Sequence, residues 1–156
     1  MEQELNPILK ESVEFELPNG TKLTIGPLKQ ENYENISKWI RLRYLQNVRS
    51  VIAEFSPKEQ EAILSRAVKD AALMSVRTED GLEVLYESIH GYALLCYEMI
   101  QAPKITFDEF ERIIFPDESD YSKNVNVLNE MFFAVYNELF AENIALLVGD
   151  EETRKE

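Results

Sequence analysis

The segment that decides the fold is residues 12–26, which read SVEFELPNGTKLTIG. Apolar and acidic side chains alternate strictly from Val13 to Leu17, as in a strand with one buried face. Asn19-Gly20 tolerates the positive φ angles of a tight turn, and the alternation resumes up to Ile25. The segment predicts a β-hairpin whose apolar face consists of Val13, Phe15, Leu17, Leu23 and Ile25. A two-stranded hairpin is marginal alone, so this face must pack on helices or on a second copy.

The rest of the chain shows helical periodicity, with apolar residues at spacings of three and four. Two helix starts carry capping boxes, Ser56-Pro57-Lys58-Glu59 and Thr106-Phe107-Asp108-Glu109. The pattern predicts helices over about 30–51, from 57, from 82 to about 101, from 107, and over about 124–141. The fold class is therefore mainly α, a helical domain of about five helices with an N-terminal two-stranded β-hairpin.

The predicted organisation is one domain, since single domains most often have about 100–150 residues. Residues 1–11, which show no clean period, form an N-terminal arm. The domain spans 12–148, with the hairpin at 12–26 and the helices within 29–148. Residues 149–156 form a charged tail.

Charge and composition limit the function classes. The formal net charge is −13, which repels phosphate backbones, so we expect no nucleic-acid partner. No apolar run reaches the roughly 20 residues of a membrane span, and no apolar stretch follows the acidic start of the chain. A single cysteine cannot form an internal disulfide. These features predict a cytosolic protein without a membrane segment.

Catalytic patterns are missing from the sequence. The one histidine, His90, and the one cysteine, Cys96, both fall within a helical pattern and are interpreted as packed side chains. The acidic residues 117–120 are without the glycine and terminal glutamate of an EF-hand loop. No phosphate-binding loop, nucleophile elbow or zinc-ligand pairing occurs. We expect a non-enzymatic protein with no cofactor and no metal.

The first predicted helix carries the candidate partner-binding residues. Residues 29–51 hold five basic and two acidic side chains, a net of +3, on an otherwise acidic chain. Tyr, Trp and Arg are favoured at binding hot spots. Core packing accounts for most helical aromatics, but the combination on this helix favours an interface formed by Trp39, Arg41, Arg43 and Tyr44.

The order of these parts resembles the tail assembly chaperones of long-tailed bacteriophages. The first matching region runs from Phe15 to Leu28, where a hairpin with a polar-Gly turn leads through a Pro-Leu step into a helix. The second runs from Leu85 to Ile114. It contains an internal glycine, Gly91, a proline break and the segment ITFDEF that opens a short helix. Val127-Leu128 lies beyond it.

The resemblance implies a mainly helical, non-enzymatic protein in the cytoplasm of the infected bacterial host. Such a protein binds and solubilises the tape measure protein, helps to recruit the tail tube protein, and self-associates. Three alternatives stay open: a head–tail connector, a tail completion protein, and a small acidic inhibitor protein. A connector would be found in the finished virion, whereas a chaperone would be missing from it.

Overall fold

The computed structural model describes the backbone of residues 9–117 and 121–155 and the side chains of residues 9–117 and 124–148. The predicted arm, the acidic segment 117–120 and the end of the predicted tail therefore lie partly outside the described residues. The elements are β1 (Val13–Glu16), β2 (Lys22–Ile25), α1 (Gln30–Val51), α2 (Pro57–Ala72), α3 (Glu79–Tyr86), α4 (Ile89–Glu98), β3 (Ile100–Ala102), α5 (Phe107–Ile114), α6 (Tyr121–Phe133), a π-helical segment (Ala134–Leu139) and α7 (Phe140–Lys155).

The mainly helical fold with an N-terminal hairpin is confirmed. The chain divides into two compact units, one formed by residues 1–27 with 99–156 and the other by residues 28–98. The first unit is discontinuous in sequence and holds the sheet, and the second is a continuous helical insertion.

The sheet of the first unit has three antiparallel strands in the order β1-β2-β3. Gly20 supplies the left-handed conformation of the hairpin turn, with a φ of +88°. The third strand was not predicted: Ile25 pairs with Ile100, and the Gly26 amide donates to the Met99 carbonyl at 2.9 Å. Segment 100–102 is thus strand, and its assignment to the end of the predicted third helix is wrong.

The predicted apolar face of the hairpin is covered within the chain. Leu17, Leu23 and Ile25 are at most 2% exposed, and Val13 and Phe15 are half-buried. β1 packs against the π-helical segment. Other buried side chains of this unit come from Met99, just before β3, and from α5, α6 and the π-helical segment: Met99, Phe110, Ile114, Leu128, Met131, Val135 and Leu139.

α6, the π-helical segment and α7 follow one another without a break as one long helix. The helix continues through Lys155, over the segment predicted as a charged tail. Met131 is fully buried, and Phe132 is half-buried with its ring 4.7 Å from that of Tyr136. The wider turns of the π-helical segment shift the apolar period only for the residues that follow Phe133.

α1 is the centre of the second unit and packs against α2, α3 and α4. The predicted N-caps form: Ser56 accepts a hydrogen bond from the Glu59 amide at 3.3 Å, and Thr106, in the first unit, accepts one from the Glu109 amide at 3.1 Å. On the side of α2 that faces the core of this unit, Ala67 and Ala71 are buried, as is Met74 just beyond the helix, and Ile63 is half-buried.

The predicted third helix is two helices, α3 and α4, separated at Glu87-Ser88. The backbones of α3 and α4 approach each other closely at Gly91, where only glycine leaves enough space. A Cβ built on Gly91 would collide with the carbonyl oxygen of Leu85. Any side chain at position 91 would force α3 and α4 apart.

One helix among the described residues, Asn124–Val148, is long and apolar enough to cross a membrane by length and composition, with 22% of its apolar window buried. The core helices of water-soluble proteins pass the same test. The predicted lack of a membrane segment therefore stays a prediction.

The first testable consequence concerns Gly91. Replacing it with Ala should lower the free energy of unfolding by about 1–3 kcal/mol, because the added methyl group overpacks the α3–α4 contact. Helix propensity alone has the opposite sign and would stabilise by about 1 kcal/mol. Urea unfolding followed by circular dichroism separates the two, and a stabilised Gly91→Ala variant would contradict the described packing.

A second prediction compares two phenylalanines of the first unit. Phe110 is fully buried, whereas Phe133 is 52% exposed. Phe110→Ala should cost roughly 3–5 kcal/mol through lost burial and the cavity left behind. Phe133→Ala, which removes the same atoms, should cost about 1 kcal/mol or less, since surface changes are usually small. Equal losses in chemical denaturation would show that the core is not where the structure places it.

Candidate protein-binding site

The four predicted partner-binding residues all lie on α1, but on two flanks of it. At about 100° per residue, Arg43 lies about 40° around the helix from Trp39, and Arg41 lies about 200° from it. The buried residues Ile36 and Ile40 lie between the flanks. Trp39 therefore groups with Arg43, and Arg41 groups with Tyr44. The structure does not bring the four side chains together as one patch.

Trp39 and Arg43 form the first flank. The Arg43 guanidinium carbon lies 5.9 Å from the centroid of the Trp39 ring, within the range of a cation–π contact. Arg43 Nε also lies 3.5 Å from Oε1 of Glu87, the residue that caps the end of α3. That separation is an ion-pair distance, but the buried Nε makes no hydrogen bond of good geometry. Glu87 Oε1 accepts its shorter bond, 2.7 Å, from Asn47 Nδ2.

The Arg43–Glu87 pair is half exposed, with side-chain exposures of 34% and 39%. Pairs at this exposure contribute about 0.2–1 kcal/mol, because solvent screens them. Arg43 thus has a packing role toward α3 and still leaves part of its guanidinium at the surface beside Trp39. This flank keeps the chemistry of a hot spot, an aromatic ring with a cation over it.

Arg41 lies on the second flank and is fixed to the backbone. Its Nε donates to the Met74 carbonyl at 3.1 Å, just after α2. One turn earlier, Ser37, which is 5% exposed, accepts a hydrogen bond through Oγ from the Val76 amide at 3.1 Å. These two bonds hold the α2–α3 connection against α1. Arg41, one of the predicted partner-binding residues, is therefore already engaged by a backbone carbonyl of its own unit.

A cleft of about 250 Å³ opens beside Arg41 and is also lined by Tyr33, Ser37 and Arg77. Sequence reasoning missed Arg77, which lies beyond α2 and donates through Nη2 to Gln30 Oε1 at 3.1 Å. Tyr44 lines a separate cavity of about 450 Å³ with Leu73 and Met74. Leu73 is 79% exposed, which makes this flank apolar at its edge.

Sequence reasoning also missed a set of exposed apolar side chains in the second unit. On α2, Val68 is exposed and Leu64, one turn before it, is half-buried, and their spacing of four residues was the available signal. The large side chains of the unit that are at least 47% exposed are Leu42, Val51, Phe55, Val68, Leu73 and Tyr86. They lie on or beside α1, α2 and α3.

Burial raises the pKa of two side chains of α4, Cys96 and Tyr92. Cys96 is fully buried, and burial raises the pKa of its thiol above the ordinary value of 9.0, so it stays protonated and unreactive. Burial, followed by the charges of Cys96 and Tyr86, raises the pKa of Tyr92 from 10.0 to about 12. Among the described residues, no group of three His, Cys, Asp or Glu side chains could hold a metal ion.

No protein-family model, curated protein or solved structure matches the chain.

The raised pKa values predict the pH dependence of stability. Above pH 9 the unfolded chain releases the protons of Cys96 and then Tyr92, while the folded chain holds them. The unfolded state therefore binds fewer protons, and the free energy of unfolding falls as pH rises from about 9 towards 12. Urea titrations at pH 8 and pH 10.5 measure the loss. Cys96→Ala should lose less over this interval than the natural chain, and an equal loss would contradict the buried thiol.

Proposed function

We propose that this chain is a non-enzymatic phage tail assembly chaperone, which binds the tape measure protein and keeps it soluble during tail morphogenesis. The observation that carries the proposal is the order of parts in the sequence. A hairpin with a polar-Gly turn leads through Pro27-Leu28 into a helix, and the segments around Gly91 and Ile105–Phe110 follow. The chain would act in the cytoplasm of the infected host, with the tail tube protein as a possible second partner.

The apolar surface of the second unit supports the proposal. A long helical chain with apolar stripes aggregates unless a partner covers those stripes, and helices bind such stripes by laying apolar side chains against them. Leu42, Val68 and Leu73 are each at least 55% exposed. Exposed apolar side chains on α1, on α2 and at the end of α2 provide the kind of surface that such a partner needs.

The charge distribution also supports it. The net charge of −13 would keep a complex with an apolar partner in solution. Trp39, Arg41, Arg43 and Tyr44 are the residues we propose for the partner contact. Trp39 with Arg43 is the stronger half, because Arg41 is already engaged by the Met74 carbonyl.

The test is co-expression of this chain with the tape measure protein encoded in the same genome, followed by separation of soluble and insoluble fractions. The tape measure protein should become soluble and co-purify. Trp39→Ala should weaken binding by about 2 kcal/mol if the ring is a hot spot. Tyr44→Ala reports on the other flank, and the larger loss identifies the flank that faces the partner.

A matched pair of variants separates binding from packing at Arg43. Arg43→Gln and Glu87→Gln both break the Arg43–Glu87 ion pair, but only the first removes a surface cation. A partner contact requires Arg43→Gln to reduce the association rate and its salt dependence, while Glu87→Gln leaves them unchanged. If the tape measure protein stays insoluble and this chain is found in finished virions, the connector alternative replaces the chaperone proposal.

A further inference from the structure

The most exposed apolar helix surface of the first unit lies on α7. It consists of Phe140, Ile144, Leu147 and Val148, which follow at spacings of four, three and one and therefore share one side of the helix. Their exposed fractions are 62%, 43%, 42% and 47%. We call this surface the α7 face.

The α7 face carries no charge. Residues 139–148 include two polar side chains, Glu142 and Asn143, and both are bound to Lys10. Lys10 Nζ lies 3.1 Å from Glu142 Oε2, and the Lys10 backbone exchanges hydrogen bonds of 2.8 and 3.0 Å with the Asn143 side chain. The polar groups of this stretch are bound within the chain, and its apolar groups are left exposed by the described residues.

A charge-free face can lie against its own copy. In a two-fold dimer the same patch of both copies forms the interface, so a patch with charges of one sign would repel its counterpart. An uncharged interface avoids this repulsion between two copies that each carry a net charge of −13. Ala141 and Ala145 are exposed one turn apart beside the face, and such small side chains allow two helices to approach closely.

The exposed area also suits a pair. With roughly 150–200 Å² for each large apolar side chain, the four residues of the face present on the order of 350 Å². A standard interface takes about 800 Å² from each partner, of which roughly 60% is apolar. The α7 face thus supplies most of the apolar area that a stable dimer requires.

We propose that the α7 face pairs with the same face of a second copy of this chain across a two-fold axis. This inference does not depend on the proposed function, since it uses the first unit alone and none of the α1 residues.

Sedimentation velocity on the full chain between about 1 and 100 μM tests the proposal. The natural chain should sediment as a dimer at the upper end of this range. Phe140→Asp and Ile144→Asp should each raise the dissociation constant by about 30-fold or more, the effect of losing a hot-spot side chain. Unchanged circular dichroism and melting temperature would show that these surface variants still fold. Leu73→Asp, which alters a side chain 79% exposed in the other unit, should leave the dimer intact.

Cross-linking provides a second readout that does not require loss of assembly. A two-fold axis through the middle of the face brings residue 144 close to its own copy, so Ile144→Cys should form a disulfide-linked dimer under mild oxidation. Leu73→Cys should not, and the natural Cys96 is buried. A natural chain that is monomeric at 100 μM, or a dimer unaffected by Phe140→Asp, would overturn the proposal. Flotation of the chain with phosphatidylcholine vesicles, lost in Phe140→Asp, would overturn it too and assign the face to a lipid surface.

Discussion

The structure depends on the position of β2 between two strands that are far apart in sequence. On one side β2 pairs with β1 through a tight turn, and on the other it pairs with β3, which follows only after all of residues 28–98. A hairpin alone is marginal, and the third strand gives the sheet the size at which it becomes stable. The same pairing holds together the two points where the chain leaves and re-enters the first unit, since the Gly26 amide bonds to the Met99 carbonyl. The pairing of β2 with β3 therefore completes the sheet of the first unit and leaves residues 28–98 as a separate helical insertion.

Short sequence motifs were sufficient to predict the turns and helix caps, which are formed by residues close together in the sequence. The Asn19-Gly20 turn and the caps at Ser56 and Thr106 form as their residues require, because each depends on atoms within four positions. β3 depends instead on a partner some 75 residues earlier, and its short apolar segment fits a helix end equally well. The break between α3 and α4 has a similar origin. It is determined by how closely two backbones approach at Gly91, which no periodicity describes.

The sequence determines where the candidate residues lie around α1, but not what they contact. The helical period places Trp39 and Arg43 on one side of α1 and Arg41 on nearly the opposite side, and this could have been read from the numbers alone. The packing of the neighbouring helices decides which side of α1 is covered. The engagement of Arg41 by a backbone carbonyl likewise depends on where the α2–α3 connection runs. The apolar residues 144–148 are visible in the sequence, while their exposure is a property of the folded chain.

The π-helical segment Ala134–Leu139 has a consequence for how this protein tolerates changes in length. Such a segment is equivalent to an α-helix that has accepted one extra residue within its wider turns. Loss of a single residue here would restore the regular helix and leave the side chains from Phe140 onward facing the same way, because the wider turns already absorb that residue. In a regular α-helix the same loss would rotate every later side chain by about 100° about the helix axis. The segment is therefore the place in this long helix where the chain can shorten by one codon and still present its phenylalanine and leucines in the same direction.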